Sequence, residues 1–493
     1  MNNIFENLQP SPVWSHFSEL CSIPRPSYQE AALRDHLIGW AKAHGIAYCV
    51  DATGNLILKK PASPGSASKS GVILQGHLDM VCQANTGTHH DFERDPIHPV
   101  ELDGWVVAEH TTLGADNGIG VALALAILEE PGLIHPPLEV LLTINEESGM
   151  DGARGLVPGS LQGKTLINID TEEWGHFYLG CAGGVDVEVT HAFETEDLPP
   201  GYVILRLEVA GLLGGHSGID IHLGRGNAIK LLAEALRDLA AHTDLRLIAL
   251  NGGTARNAIP REANVTCALR ADALAKLDEW VQHRHDAWRK RFTAVDDNVL
   301  FAYKLDEIMQ LGDAQGKKAL QKAGSDRLLG FLDTSPNGVS RMSDDFTGVT
   351  DTSSNLGVAT LENGVFNATF KVRSLQDSRA DALADKFIAY AGSYELHGRK
   401  HGAYPGWTPN PASKLLSLCQ QVYISEFGQP ASLQVIHAGL ECGLLAASHP
   451  HLDMISFGPD IRGAHAPGER VEIESVAHCW QLLKAVLQTL AKV

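Results

Sequence analysis

The sequence predicts an α/β fold in two domains, a discontinuous α/β domain and an α+β domain of split βαβ character inserted into it. Helical and strand patterns alternate over about the first 185 residues, a different order of elements follows, and the alternation returns after about residue 395. The length of 493 residues also exceeds the ~250–300 at which a single core usually splits. We therefore expect boundaries at 1–185, 186–395 and 396–493, with the first and third parts forming one domain.

The N-terminal part begins with a predicted helix that runs at helical period from Ser27 to Gly45, where Ser27 and Glu30 have the spacing of a capping box. A hairpin strand, ATGNLILKKP, follows, and then three strands of the buried type, GVILQG, PLEVLLTIN and KTLINID. The apolar run GIGVALALAILEE predicts a helix between the first two of these three strands. This order indicates a sheet covered by helices.

The middle part predicts a β-α-β-β-α order, which is a split βαβ layout. Its segments are YVILRLEVAG, NAIKLLAEALRDLAAH, LRLIALNGG, REANVTCALRA and ALAKLDEWVQHRHDAWRKRF. Strands LGVATLEN and VFNATFKVRS and the helix RADALADKFIAYAG extend it to about residue 390, long enough for two such units in tandem. After YPGWTPNP the α/β pattern returns with a helix at KLLSLCQQVYISEFG, strand-like SLQVIHAG and DMISFGP, and a final helix, HCWQLLKAVLQTLAKV.

The composition excludes several classes of protein. A formal net charge of −20 argues against a nucleic-acid partner and an anionic membrane surface, because both require concentrated positive charge. The eight cysteines are too sparse for a disulfide scaffold. The N-terminal residues lack the basic and apolar regions that are typical of a signal peptide. No apolar run reaches the ~18 residues of a transmembrane helix. We expect a cytoplasmic protein with reduced thiols.

Polar residues follow the predicted strands where each strand ends. They are His77 after GVILQG, Glu146 and Glu147 after LEVLLTIN, Asp170 at the end of KTLINID and His465 beyond DMISFGP, joined by Asp116 in the loop GADNGIG. Each alone is compatible with a structural role: a solvated turn for the two glutamates, a helix cap for Asp116, a loop or core histidine elsewhere. Together these residues place two imidazoles and several carboxylates at one edge of the sheet. In open α/β sheets, ligands bind beyond the carboxyl ends of the strands, which is this edge. This set suits zinc or a similar divalent cation.

Two further roles follow from that set. Asp79 lies two residues after His77 in an extended segment, so it is either a residue that orients the histidine or a direct ligand. If Glu147 binds metal, Glu146 stands beside the activated water. A metal lowers the pKa of water from about 15.7 to about 7. Glu146 would then act as general base and later as general acid.

These residues resemble those of the two-zinc metallopeptidases of the glutamate carboxypeptidase and aminoacylase type, in the same order along the chain. TTLGADNGIG, EESGMDGARGL, NGGTARNAIPREA, GLLGGHSG, GAYPGW and HAGLECGL carry the resemblance to a branch that cleaves dipeptides. It implies a catalytic domain, an inserted lid domain and two divalent cations, zinc with manganese or cobalt as alternatives. Asp116 would bridge the cations, with His77 and Asp170 on one and Glu147 and His465 on the other. It also implies that Glu146 is the general base and that Asp79 orients His77.

The resemblance assigns four more residues to the substrate. His216 in GGHSG would polarise the scissile carbonyl, and it comes from a partner subunit in some relatives, which leaves a homodimer and a self-contained lid as alternatives. Arg373 would bind the substrate carboxylate, an exposed strand arginine being the other interpretation. Asn257 would line the cleft, and Glu441 would bind a free α-amine. The expected activity is hydrolysis of dipeptides with free termini, including Xaa-His dipeptides. The rivals are an N-acyl amino acid deacylase or carboxypeptidase, and a non-catalytic binding protein.

Overall fold

The structure, a computed structural model, describes residues 4–85, 87–305 and 317–493 and separates into two compact units. The first unit comprises Met1–Cys181, Trp407–Val435 and Leu440–Val493, and the second comprises Ala182–Gly406 and Ile436–Gly439. The first unit is therefore discontinuous and the second is inserted into it. The predicted fold class is confirmed.

The first unit contains helices and strands in alternation. Before the insertion these are α1 (Ser11–Ser22), α2 (Ala31–Ala43), β1 (Ala47–Val50), β2 (Leu56–Lys60), β3 (Val72–His77), β4 (Val100–Leu102), β5 (Trp105–Val107), α3 (Ala115–Glu129), β6 (Leu138–Thr143), α4 (Glu146–Gly149), α5 (Asp151–Gly155), β7 (Thr165–Asn168) and β8 (His176–Cys181).

The second unit follows directly along the chain. Its elements are β9 (Gly183–Ala192), β10 (Thr195–Asp197), β11 (Tyr202–Ala210), β12 (Gly215–His216), α6 (Ala228–Ala240), β13 (Leu245–Gly252), β14 (Ala258–Ile259), β15 (Ala263–Arg270), α7 (Leu277–Arg291), β16 (Leu300–Leu305), β17 (Lys318–Leu320), α8 (Lys322–Thr334), β18 (Gly338–Met342), β19 (Thr350–Glu362), β20 (Val365–Ser374), α9 (Asp377–Ser393) and β21 (His397–Tyr404). After the insertion come α10 (Lys414–Phe427), β22 (Ser432–Ile436), α11 (Glu441–Ser448), β23 (Asp453–Ser456), β24 (Ile461–Arg462), β25 (Arg470–Glu472) and α12 (Ile473–Leu490). Short 3₁₀ helices occur at Ile4–Asn7, Ile221–Leu223 and Ala271–Lys276.

The main sheet of the first unit has the strand order β1-β2-β6-β3-β7-β23-β8-β22. Its central strands β6, β3, β7 and β23 are parallel, so their carboxyl ends meet at one edge. Strands β3 and β6 are buried along their whole length, as expected for parallel strands with apolar sequences and both faces covered. The small sheet β24-β25-β5-β4 lies in the same unit.

The second unit is built on an antiparallel sheet with the order β16-β11-β15-β13-β19-β20-β9-β21, and β18 pairs with β19. The part β11-α6-β13-β15-α7-β16 has the predicted split βαβ order. Strands β18 to β21 extend this same sheet, so the length that allowed two tandem units is used instead for one wide sheet. Strand β21 lies within residues 396–493, which were expected to belong to the first domain, but it pairs with β9 of the second unit.

The predicted capping box at the start of α2 is wrong. The helix begins at Ala31, and Ser27 Oγ donates to Asp79 Oδ2 at 2.8 Å. Glu30 Oε1 accepts the backbone N–H of Asn145, also at 2.8 Å. Both side chains therefore bind the loops that follow β3 and β6 rather than the helix end. Among the described residues, no helix is long and apolar enough to cross a membrane.

Candidate metal centre

Asp116 stands between two histidines from distant parts of the chain. His77 ends β3 and is 1% exposed, and His465 lies in the loop between β24 and β25. Asp116 Oδ1 is 3.1 Å from His77 Nε2, and Asp116 Oδ2 is 3.1 Å from His465 Nε2. Each oxygen of this carboxylate therefore faces one imidazole. The peptide bond between Asp116 and Asn117 is cis.

Each histidine has a second carboxylate beside it. Asp170, which follows β7, places Oδ1 3.3 Å from His77 Nε2. Glu147, at the start of α4, places Oε2 3.1 Å from His465 Nε2. The ligand atoms of His77, Asp116 and Glu147 lie within 4.8 Å of one another. The five predicted ligands thus form two groups that share Asp116.

The chemistry of these groups fits divalent cations. Glu147 Oε1 is buried and forms no hydrogen bond within the described part of the chain. Burial, with the charge of Asp116 adding to it, raises the pKa of Glu147 to about 7, and burial also raises the pKa of Asp170. Buried carboxylates close together need a compensating positive charge. A donor set of imidazole nitrogens and carboxylate oxygens matches zinc and its neighbours.

Asp79 holds the short helix that carries the two glutamates. Its carboxylate is fully buried and accepts the backbone N–H groups of Glu146 at 3.0 Å and Glu147 at 3.2 Å. His77 Nδ1 lies 3.1 Å from the backbone oxygen of Asp79 and 3.4 Å from its Oδ1. The backbone oxygen is thus the nearer acceptor, and the carboxylate is engaged mainly with α4. Burial raises the pKa of Glu146 well above its usual range.

Sequence reasoning missed Asn117, which joins the ends of two strands. Its Oδ1 accepts the backbone N–H of His77 at 3.2 Å, and its Nδ2 donates to the backbone oxygen of Ile169, next to Asp170. A Cβ at Gly76 would lie 2.2 Å from Asn117 Oδ1, and one at Gly120 would lie 2.1 Å from the Ile169 oxygen. Gly76 in GVILQG and Gly120 in GADNGIG were therefore the sequence features that could have indicated close packing around Asn117.

Glu441 is fully buried at the start of α11. Its Oε2 accepts from Gln75 Nε2 and Thr143 Oγ1, both at 2.6 Å, whereas its Oε1 has no hydrogen-bond partner among the described residues. Burial raises the pKa of Glu441 to about 8. The carboxyl group is thus attached to β3 and β6 through one oxygen only.

The other predicted residues belong to the second unit. His216 Nδ1 accepts backbone N–H groups from Gly218 and Ile219 at 3.3 and 3.0 Å, and its Nε2 lies 3.3 Å from Arg373 Nη2. Arg373 is 4% exposed, donates to Tyr404 Oη at 2.6 Å and pairs with no carboxylate among the described residues. The structure therefore brings His216 and Arg373 together.

Asn257 is exposed. Its backbone oxygen accepts the N–H of Ser217 at 2.8 Å. This bond connects Asn257 to the residue that follows His216.

Comparison with known proteins gives concordant results. A model of the peptidase dimerisation domain of the M20 peptidases matches residues 207–292, within the second unit. The chain is 45% identical to the cytosol non-specific dipeptidase of Escherichia coli (strain K12), over 98% of both chains.

Solved structures extend the comparison. The aminoacylhistidine dipeptidase of Vibrio alginolyticus is 42% identical, with a TM-score of 0.84 and 98% of each chain covered. The aminopeptidase PepT of Bacillus cereus shares the fold at 16% identity and a TM-score of 0.55, covering 98% of this chain and 99% of that one.

Proposed function

We propose that this chain, which belongs to the M20 metallopeptidase family, hydrolyses dipeptides with free termini, including Xaa-His dipeptides. Two relatives with more than 40% identity over almost the whole chain carry dipeptidase names, one non-specific and one for aminoacyl-histidine substrates. The observation that carries the chemistry is Asp116, whose two oxygens each face a different histidine at 3.1 Å. A carboxylate in this position suits a bridging ligand.

We propose two divalent cations, zinc with manganese or cobalt as alternatives. His77, Asp116 and Asp170 would hold one, and Asp116, Glu147 and His465 would hold the other. Bound cations supply Lewis-acid activation of a water molecule and of the scissile carbonyl. The buried Oε1 of Glu147, which has no hydrogen-bond partner among the described residues, supports this assignment.

Glu146 is the proposed general base. Its carboxylate takes a proton from the attacking water and returns it to the leaving amine. The hydrogen bond from its backbone N–H to Asp79 restricts where the side chain can reach. Burial raises the pKa of this carboxyl, which makes the carboxylate a stronger proton acceptor than a solvent-exposed one.

Arg373 and His216 are the proposed partners of substrate oxygens. Because His216 Nδ1 accepts two backbone N–H groups, its proton resides on Nε2, and Nε2 and Arg373 Nη2 are both donors. Two donors 3.3 Å apart can bind two nearby oxygens of one substrate. Arg373 would bind the C-terminal carboxylate and His216 would polarise the carbonyl.

Asn257 and Glu441 complete the proposed substrate contacts, with Asn257 lining the cleft and Glu441 Oε1 accepting from the substrate α-amine. The matched dimerisation domain supports a homodimer. We also propose a cytoplasmic location, the location that the name of the E. coli relative gives for that protein.

Hydrolysis assays with purified protein test the function. We expect cleavage of Gly-His and β-Ala-His that disappears after chelation and returns with zinc, manganese or cobalt, and no cleavage of N-acetyl-histidine. The Glu146→Gln variant serves as the control for contaminating peptidases. Cleavage of N-acetyl-histidine alone would transfer the assignment to the deacylase rival. Metal binding without turnover on a broad dipeptide panel would indicate a non-catalytic protein.

A further inference from the structure

The backbone of Gly114, two residues before Asp116, is held by a buried cation and a buried anion. Arg25 and Glu469 are each only 2% exposed. Arg25 Nη2 donates to the backbone oxygen of Gly114, and Glu469 Oε2 accepts the backbone N–H of the same residue at 2.9 Å. Hydrogen bonds to charged groups are roughly twice as strong as neutral ones. Both charges are therefore used to hold the backbone of one residue.

Glu469 also holds Leu113, just before Gly114, and Asp116, two residues after it. Its carboxylate accepts the backbone N–H of Leu113 at 2.7 Å and that of Asp116 at 3.1 Å. Because Glu469 lies four residues after His465, the segment that carries this histidine is tied to the loop that carries Asp116. The two residues that face each other across 3.1 Å thus share one support.

Arg25 connects the same loop to the other histidine. Its Nη1 donates to the backbone oxygens of Leu78 and Asp79, both at 3.0 Å. These residues directly follow His77 at the end of β3. One guanidinium therefore bridges the segment after His77 and the segment before Asp116, two segments far apart in sequence.

The glycines of GADNGIG are required by this arrangement. Gly114 has a φ of +70°, and a Cβ on it would lie 2.5 Å from Arg25 Nη2. A Cβ on Gly118 would lie 2.6 Å from the same nitrogen. The loop thus has no room for side chains on the surface that receives Arg25.

We propose that Arg25 and Glu469 are positioning residues that hold Asp116 between His77 and His465, and that the metal affinity of the centre depends on them. This pair, the Gly114 clamp, rests on the proposed function because it assumes that the centre binds cations. The clamp acts through the backbone and touches neither ligand oxygens nor substrate. Burying two charged side chains away from water costs free energy, which favours a specific role for Arg25 and Glu469.

The first test compares Glu469→Gln with Glu139→Gln. Glu139 is 6% exposed and accepts the backbone N–H groups of Gln162 and Gly163 at 2.7 and 2.8 Å, but it lies near the opposite end of β6 from Glu146. Changes of groups that support metal ligands typically weaken affinity ~10–100-fold. Isothermal titration of chelator-stripped protein with Zn²⁺ should show such a loss for Glu469→Gln. The affinity of Glu139→Gln should remain within about threefold of wild type, since its hydrogen bonds are remote from the ligands.

The second test uses the sign of the charge on Arg25. Coulomb's law alone predicts that Arg25→Met binds cations more tightly, because a positive charge is removed. The clamp predicts weaker binding for Arg25→Met and for Arg25→Lys, which keeps the charge but loses the planar geometry. If Arg25→Met does not fold, as judged by circular dichroism, Arg25→Lys and Glu469→Gln decide.

Unchanged or tighter binding in these variants would overturn the clamp, as would an equal loss in Glu139→Gln. Failure of the wild-type protein to bind Zn²⁺ would instead overturn the proposed metal centre. The two failures are therefore distinguishable in one set of titrations.

Discussion

The carboxylate of Asp79 fixes the position of Glu146 by accepting its backbone N–H at 3.0 Å. The same carboxylate accepts the N–H of Glu147 and the hydroxyl of Ser27. Asp79 therefore fixes the backbone positions from which two side chains extend, those of Glu146, the proposed base, and Glu147, a proposed ligand.

Asp79→Asn should lower kcat by about 10–100-fold, because an amide offers one acceptor oxygen where the carboxylate offers two. Steady-state kinetics at saturating metal measures this effect. Ser27→Ala is the matched control, since it removes one donor to the carboxylate and leaves both backbone bonds in place, and it should cost less than about fivefold. A rate for Asp79→Asn within twofold of wild type would contradict this role.

Glu146→Gln and Glu147→Gln should produce different defects. The first removes the proposed base and should lower kcat by about 10²–10⁴-fold while bound metal is retained. The second removes a ligand and should lower bound metal per chain. Elemental analysis after gel filtration, together with kinetics, separates the two. If Glu146→Gln kept most of its activity, its assignment as base would be wrong.

The residues at strand ends could be expected from the sequence because parallel strands deliver their carboxyl ends to one edge. His77, Asp170 and Glu147 each follow an apolar run that could be recognised locally, and their convergence followed from the α/β order. Asp116 and His465 were candidates for the same edge from their loops alone, and the resemblance to a known family added which cation each would bind. Their roles as ligands remain predictions.

Arg25 and Glu469 could not be expected, because each acts on backbone groups of a segment distant in sequence. No local pattern connects Arg25 with Gly114 or Glu469 with Leu113. The capping box at Ser27 was predicted wrongly for the same reason, since a tertiary hydrogen bond to Asp79 replaced the local one. Hydrogen bonds between distant loops depend on the finished fold.

Arg373→Met should impair substrates with a free C-terminal carboxylate far more than their amides. Charge-assisted hydrogen bonds contribute about 1.5–3 kcal/mol, which corresponds to roughly 10–100-fold in kcat/KM. The assay compares Gly-His with its C-terminal amide for each protein. The control is Arg399→Met, which removes an exposed arginine paired with Glu188 in the same sheet. Equal losses for acid and amide would contradict a carboxylate-binding role.

Lys230 should stabilise the second unit by binding the end of α8. Its ammonium donates to the backbone oxygens of Leu332, Asp333 and Ser335 at 2.5–2.7 Å. Lys230→Met leaves three carbonyls without this donor, and we expect unfolding free energy to fall by about 2–4 kcal/mol at pH 7. Urea unfolding monitored by circular dichroism measures it. The exposed pair Lys322–Asp326 provides the control, because Lys322→Met should cost less than about 0.5 kcal/mol.

The difference in unfolding free energy between wild type and Lys230→Met should also depend on pH. Burial lowers the pKa of Lys230 from 10.5 to about 8, against the opposing effects of Asp333 and Glu234. Between these values the unfolded chain binds more protons at this position than the folded chain, so the unfolding free energy of the wild type rises with pH relative to the variant. The gap should widen from pH 8 toward pH 10.5, by about 3 kcal/mol at most. A gap that stayed constant or narrowed over this range would mean that Lys230 keeps its charge in the folded protein.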